Sequence, residues 1–391
     1  MLSAMRCDIA IIGGGIIGSS IAYHLARTGR AGRIVVIERD PAYQQASTPR
    51  ASGGVRQLFS GPENIALSRY GLAFYAGFEQ AMAVDGDAAP IGFRRQGYLF
   101  VADAGGGRTM EANFRRQSQT GVRVELLDPA AIRARWPSLA SEDIEVAVHS
   151  PDDAWIDPQA AMMGFKRKAR SLGAEYVADA VVGWEMQHGS ARRIVLSSGA
   201  AIEAQMHVLA AGAWSGELAA MIGMKLPIGP MSREAYFFTC PAVLEPLPFV
   251  KCESDVAFRP EGKGFTGGIA DWRVADGWNW ELSPDYFESI VWPGLAHRVP
   301  AFETLRLERA WRGHYERNAL DANAVIGRWE GGAANVVIAA GFSGHGVMHA
   351  PGAGLAVAEL ILDGRYSSID PGRLGYRRIA AGEPYREQGI I

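Results

Sequence analysis

Cys7-Asp8-Ile9-Ala10-Ile11-Ile12-Gly13-Gly14-Gly15-Ile16-Ile17-Gly18 is the stretch on which the fold turns. An apolar run of strand length ends in glycines and passes directly into a segment of helical period, with Ile17, Ile21 and Leu25 on one face. Gly13, Gly15 and Gly18 carry the spacing G-x-G-x-x-G, and a further apolar run, Arg33-Ile34-Val35-Val36-Ile37, ends on Glu38. Strand, helix, second strand and terminal acid are the parts of a dinucleotide site. In that reading Gly13 makes the tight turn and Gly15 lets the backbone approach a pyrophosphate. Gly18 lets helix and sheet pack closely, and Glu38 accepts from a ribose hydroxyl. Ile16 and Arg39 complete the expected cradle, with the phosphates on the free N–H groups of the helix start. The motif alone does not separate NAD from FAD.

Composition bounds the answer. The chain has 391 residues, 48% hydrophobic and 21% charged, enough for a large core and two domains. A formal net charge of −3 and the lack of a basic cluster exclude nucleic acid as an expected partner. The cysteines, Cys7, Cys240 and Cys252, lack metal-like spacing and read as reduced, inert thiols. His345 and His349 stand at helical i, i+4 spacing with no acidic or cysteine ligand nearby, so no metal is expected. No apolar run has the length of a transmembrane segment. The first strand starts within a few residues of Met1, leaving no room for a signal or transit peptide, so the expected location is cytoplasmic.

Along the chain, Ser52-Gly53-Gly54-Val55-Arg56 is a small-residue loop suited to backbone contact with a phosphate or a flavin ring. Glu63 to Gln80 reads as one amphipathic helix with Leu67, Tyr70 and Phe74 on its apolar face. Gly97–Val101 reads as a strand, Ala104-Gly105-Gly106-Gly107 as a turn, and Met110–Thr120 as a helix. Asp128 caps a short helix, and Asp157-Pro158 starts a longer one with Asp157 as its cap rather than a catalytic carboxylate. Strands are expected near 175–185 and 192–196, followed by an apolar strand, Met206 to Ala210, that stops at Ala211-Gly212-Ala213-Trp214. From Pro227 to Arg317 aromatic strands and tryptophans dominate, read mostly as core or interdomain packing.

A buried strand, Asn335 to Ala340, then enters Gly341-Phe342-Ser343-Gly344-His345-Gly346 and a small-residue helix. This second glycine turn lacks the phosphate spacing. A helix start aimed at the N1–C2 carbonyl edge of a flavin stabilises the negative charge of the reduced ring, which a nicotinamide does not need. FAD is therefore the expected cofactor.

These residues resemble the FAD-dependent D-amino-acid oxidase and sarcosine oxidase family over nearly the whole chain. The carriers are the opening glycine unit with Glu38, Ser52 to Arg56, Ala211-Gly212-Ala213-Trp214 and Gly341 to Gly346. Gly53 to Ser60, Pro62 to Ile65, Arg298 to Leu305 and the terminal Ile390-Ile391 resemble a mitochondrial branch of that family linked to respiratory complex I assembly. The resemblance implies an α/β plus α+β architecture: a Rossmann-like FAD-binding domain built from the discontinuous segments 1–83, 151–225 and 326–391, with an antiparallel-sheet substrate domain from 84–150 and 226–325. It implies oxidation of a C–N bond beside a carboxylate, a small amine or amino-acid substrate, hydride transfer to flavin N5, and reoxidation by oxygen, a quinone or an electron-transfer flavoprotein. Val181 matches the position whose backbone flanks the adenine.

Departures from the family pattern sharpen the expectation. Covalent-flavin members carry a cysteine where this chain has Gly313, and no histidine stands beside Ser52, so FAD is expected to be non-covalent. The sarcosine-type carboxylate ligands, an arginine and a lysine, are replaced by Phe59 and Met348. The oxygen-activating lysine falls near Thr266 and the active-site histidine near Ala270, which favours a dehydrogenase over an oxidase, since a cation near the flavin stabilises incipient superoxide. Arg56 and Tyr315 do match; Arg56 is expected to orient substrate or flavin and Tyr315 to donate a hydrogen bond. His314, His345 or Arg259 is expected to pair with a carboxylate. Oxidation of a 2-hydroxy acid is the alternative chemistry, and a flavoprotein with an assembly or binding role is the non-enzymatic one.

Overall fold

The computed structural model describes residues 4–103 and 105–389. The opening apolar run forms the strand Met5–Ile12, which lies between parallel neighbours, Ile34–Glu38 and Ala201–Leu209. Glu175–Ala178 extends the sheet in parallel beyond Ile34–Glu38, and Val336–Ala340 runs parallel to the end of Ala201–Leu209. The antiparallel strands Val181–Gln187, Ser190–Leu196 and Val325–Arg328 complete eight strands. Central parallel strands are covered on both faces and so read as continuous apolar runs. Alternation along Met5–Ile12 accordingly sends Ile9 and Ile11 into one core cluster and Ala10 and Ile12 into the other.

On the first of these faces the helices Ile16–Ala26, Pro62–Ala76, Pro158–Ser171 and Gly346–Asp363 pack at short range. Small residues allow it: a Cβ on Gly354 would lie 2.3 Å from Ser20 Oγ, and one on Gly71 would lie 2.1 Å from the Met348 carbonyl oxygen. Pro351 stands inside the helix Gly346–Asp363 and leaves the Val347 carbonyl without its helical donor. The Tyr75 hydroxyl donates to that oxygen at 2.7 Å, closing the gap.

The second large sheet, also eight-stranded, is built on the long antiparallel pair Ile228–Thr239 and Arg306–Asn318, paired from Ile228–Asn318 to Thr239–Arg306 with one register shift between Phe237 and Phe238. Phe249–Cys252, Ala257–Glu261 and Gly264–Gly268 continue it antiparallel. One junction is parallel, Phe249–Cys252 against Tyr98–Asp103, because the two strands arrive from separate passages of the chain through this sheet. One face packs on a core containing Phe238, Phe258, Leu295 and Phe302. Among the described residues no helix is long and apolar enough to cross a membrane, and no group of His, Cys, Asp or Glu could hold a metal ion.

Several local expectations change. The helix read as continuous from 63 to 80 breaks at Gly77 into Pro62–Ala76 and Phe78–Ala81. The strand expected over 175–185 is two strands, because the chain leaves the parallel edge at Asp179, whose N–H donates to the Glu38 carbonyl oxygen at 3.0 Å, and turns into a hairpin. Of the tryptophans read as core or interdomain packing, Trp272 is 63% exposed, and Trp278, Trp280 and Trp292 are each more than a third exposed. The first three belong to the loop that joins the strand Gly264–Gly268 to the helical segment starting at Phe287, where Trp278 packs on Trp214 at 4.5 Å, Trp280 on His314 at 4.3 Å, and the Arg233 guanidinium lies over Trp272. Asp128 and Asp157 cap their helices as expected, accepting from Ala131 N at 2.7 Å and Ala160 N at 3.0 Å. Ala104 and the terminal Ile390-Ile391 lie outside the described residues.

Burial holds four of the histidines neutral. His24 and His349 are pushed down to about 3 by desolvation, and His207 and His314 to about 4. Below pH ~6.5 the unfolded chain binds protons that these buried rings refuse, so stability falls as pH drops from there. Neither ring nitrogen of His24 has a partner among the described residues. His24→Leu is expected to retain about 2 kcal/mol of the stability the native chain loses between pH ~7 and ~5, read by urea unfolding at both pH values; equal losses in the two proteins would count against this account.

Candidate active site

A cavity of about 850 Å³ is lined by residues from both large sheets. At one side lie Gly13, Gly15, Ile16, Glu38, Arg39, Val181, Ala211, Gly212 and Trp214. The motif glycines differ in the space around them. Gly13 turns at φ +106°, and a Cβ there would meet the Ala210 carbonyl oxygen at 2.2 Å. A Cβ on Gly18 would meet the Gly13 carbonyl oxygen at 1.9 Å, so Gly18 is behind the wall and serves packing. Gly15 is different: a Cβ there would touch only Thr48 Oγ1, at 3.9 Å, leaving open the space a phosphate needs. Glu38 lies at the strand end, and its carboxylate accepts from Gly14 N at 2.8 Å and Asp40 N at 2.9 Å. The Arg39 guanidinium lies 4.6 Å over the Trp214 ring.

The same cavity reaches Ser52, His314, Tyr315, Phe342, Ser343, Gly344 and Gly346. The two glycine turns, distant in sequence, thus border one space. The strand Arg306–Asn318 supplies His314 and Tyr315. His314 Nε2 accepts from the Asn279 N–H at 2.9 Å, consistent with a neutral ring. Beside Tyr315 the wall is cationic. The Arg233 guanidinium lies 4.2 Å over Trp272 and 5.4 Å over Tyr315, and its Nε and Nη2 are buried without a hydrogen-bond partner among the described residues. Lys251 lines the wall as well, with its ammonium pushed down to about 8 by burial and by the neighbouring Arg56 and Arg233.

Other expected site residues stand behind this surface. Arg56 is buried, donating to the Leu58 carbonyl, with its guanidinium 4.0 Å over Phe59 and 5.0 Å over Phe100. Its Nη2 lies 3.1 Å from His345 Nε2. Arginine only donates, so that nitrogen accepts and His345 is neutral, its pKa pushed far down by burial and by Arg56. Met348 is in the core of the helix layer, and Val55 and Gly54 are buried in a short strand. Gly53 turns at φ +77° against the Ile156 carbonyl, and Gly341 turns at φ +78°. Arg259 donates from Nε to the Ser52 carbonyl at 2.7 Å and pairs with Glu261 at 3.2 Å.

Comparison with known proteins decides what this cavity belongs to. The family described as FAD dependent oxidoreductase matches residues 8–360. The chain belongs to that family. Members of this FAD-dependent family similar to it include FAD-dependent oxidoreductase domain-containing protein 1 of Xenopus laevis, 34% identical over 99% of this chain and 85% of the relative. Glycine oxidase of Bacillus licheniformis is 27% identical over 91% of this chain and 93% of its own. Among solved structures, L-proline dehydrogenase from P. horikoshii superposes with a TM-score of 0.87 at 27% identity, covering 98% of this chain and all (100%) of that one. FAD is thus the cofactor of the family, and the open face at Gly15 is the feature of this structure that fits its pyrophosphate. FAD would supply a two-electron acceptor to whatever Tyr315, Arg233 and Lys251 hold beside it.

Arg233, Lys251 and Glu316 were not legible as cavity residues. The one available signal was a charge placed inside an otherwise apolar strand, Lys251 between Val250 and Cys252. Arg56 and Arg233 should respond oppositely to removal. Arg56→Ala, which strands the His345 acceptor and empties the space between two rings, is expected to cost about 2–4 kcal/mol in chemical denaturation. Arg233→Met removes two N–H-bearing nitrogens that have no acceptor and one local bond, Nη1 to the Ser232 carbonyl at 2.8 Å, and should change stability by less than about 1 kcal/mol.

Proposed function

We propose that the chain binds one FAD without a covalent link in this cavity and oxidises the C–N bond of an amine or N-alkyl amino acid by hydride transfer to flavin N5. The observation that carries the reading is the shared cavity: both glycine turns border it, and Tyr315, Arg233 and Lys251 line it with them. The Gly13–Gly18 turn and Glu38 serve the dinucleotide, with Val181 beside the adenine. Ser52 and the turn Gly341–Gly346 serve the flavin ring. Gly313 stands where a cysteine would be needed for the covalent link, which supports non-covalent binding.

On the substrate side the chain's residues orient rather than take protons. Hydride loss requires a neutral amine held at the right angle, and no protein base is needed for it. Tyr315 donates a hydrogen bond, and the free Arg233 N–H groups are placed to receive an acidic group of the substrate. Arg56 acts from behind, holding His345 neutral beneath the turn.

Oxidation of a 2-hydroxy acid would require a base to take the hydroxyl proton. The buried histidines are held neutral, but His314 already accepts from Asn279, and His345 from Arg56. This favours amine over alcohol. The preference for a dehydrogenase rests on Thr266 at the place of an oxygen-activating lysine; Lys251, on the next strand but one of the same sheet, weighs against it. A location in the cytoplasm belongs to this same reading.

The test is anaerobic bleaching of the FAD-loaded protein by a panel of secondary amino acids, primary amines and 2-hydroxy acids. Secondary amino acids are expected to bleach it and hydroxy acids to leave it oxidised; bleaching by hydroxy acids alone would reverse the assignment. Reoxidation at least about tenfold slower with oxygen than with a quinone or an electron-transfer flavoprotein is expected of a dehydrogenase. Fast reoxidation by oxygen would make it an oxidase, and a protein that no substrate bleaches while a partner co-purifies would have a binding role instead.

A further inference from the structure

A carboxyl group stands where the helix opening was expected to welcome negative charge. Glu316, on the strand Arg306–Asn318, is buried and lines the cavity. Its Oε2 accepts from Gly341 N at 2.8 Å, and its Oε1 lies 3.9 Å from where a Cβ on Gly346 would be. Its own carbonyl accepts from Ser343 N at 3.0 Å, so strand and turn are fastened to each other at this residue. The acid is therefore fixed against the start of the helix Gly346–Asp363, on the cavity side.

Most charged and titratable groups on the elements packed around it are engaged or neutral. On its own strand, Arg317 pairs with Asp276 at 2.5 Å, and His314 accepts from Asn279. At the turn, His345 accepts from Arg56. At the following bend, Asp321 pairs with Arg378 at 2.7 Å. Across the sheet its register partner is Pro230, which carries no charge. Arg233, Lys251 and Tyr315 share the cavity with it. Among the described residues no cation forms an ion pair with Glu316, and burial pushes its carboxyl up to about 7 against the pull of two backbone N–H groups.

Two negative charges next to one another in a buried site are not both retained; one takes a proton. We propose that Glu316 is a positioning carboxyl that takes up one proton when bound FAD is reduced, keeping the charge beside the turn Gly341–Gly346 constant. The inference rests on the proposed placement of the flavin at that turn. The balance is simple for an amine. Its C–H bond breaks, giving hydride to FAD; its N–H bond breaks, giving a proton; and a C=N bond forms. The cofactor side gains one negative charge, and Glu316, reached through solvent, gains the proton.

The experiment compares the FAD-loaded protein with Glu316→Gln by spectroelectrochemical titration from pH ~5.5 to ~9. The two should be reduced equally at the acid end, where Glu316 is already protonated. Toward pH ~8.5 the equilibrium constant for reduction should become about tenfold larger in the variant than in the native protein, because the native carboxylate opposes the incoming charge. Curves that stay parallel across the range overturn the proposal. Should the variant fail to hold FAD, the infrared difference spectrum of the native protein on reduction above pH ~8 decides: a protonated carboxyl band that appears supports the proposal, and its absence overturns it. A protein that takes up no FAD at all refutes the cofactor placement instead, which keeps the two failures apart.

Discussion

The whole site depends on two places where backbone meets backbone with no room for a side chain. Gly13 abuts the Ala210 carbonyl, and Gly18 abuts the Gly13 carbonyl. The first contact brings the end of Met5–Ile12 against the end of Ala201–Leu209; the second pulls the helix Ile16–Ala26 onto that junction. Close packing at both leaves Gly15 facing space, and its neighbours' N–H groups unfilled at the helix start. A side chain at either contact would lift the helix away and spoil the cradle, whatever else the fold retained.

The rest of the fold carries the second glycine turn to the same cavity. Val336–Ala340 joins the sheet beside Ala201–Leu209, so the turn that follows emerges next to the first one. The long helix behind it is held by glycine contacts to the helices Ile16–Ala26 and Pro62–Ala76, and by Tyr75, which satisfies the carbonyl freed by Pro351. Electrostatics then differ on the two sides of the wall. Behind it, Arg56 is stacked on rings and spends its N–H groups on fixed acceptors. In front of it, Arg233 keeps N–H groups unmatched, as a group awaiting a ligand does.

Local pattern was legible wherever a residue's role is set by its neighbours in the chain. The first strand–turn–helix unit, the terminal acid Glu38, the capping aspartates Asp128 and Asp157 and the second glycine turn were all readable in this way. What failed depended on long-range pairing. Whether Arg56 or Arg233 faces the cavity is decided by which strands flank them and in what register, and nothing within a few residues of either encodes that. The tryptophans of the 270–285 loop stay partly open for a related reason: composition reports that a residue is apolar, not how much of it another element comes to cover.

One FAD gripped between two glycine turns has a direct readout in the cofactor content of the purified chain. A yellow protein is expected, with close to one FAD per chain, released intact into the supernatant when the protein is precipitated with acid. A chain that stays colourless after incubation with excess FAD, and shows no binding heat with it, would contradict the account.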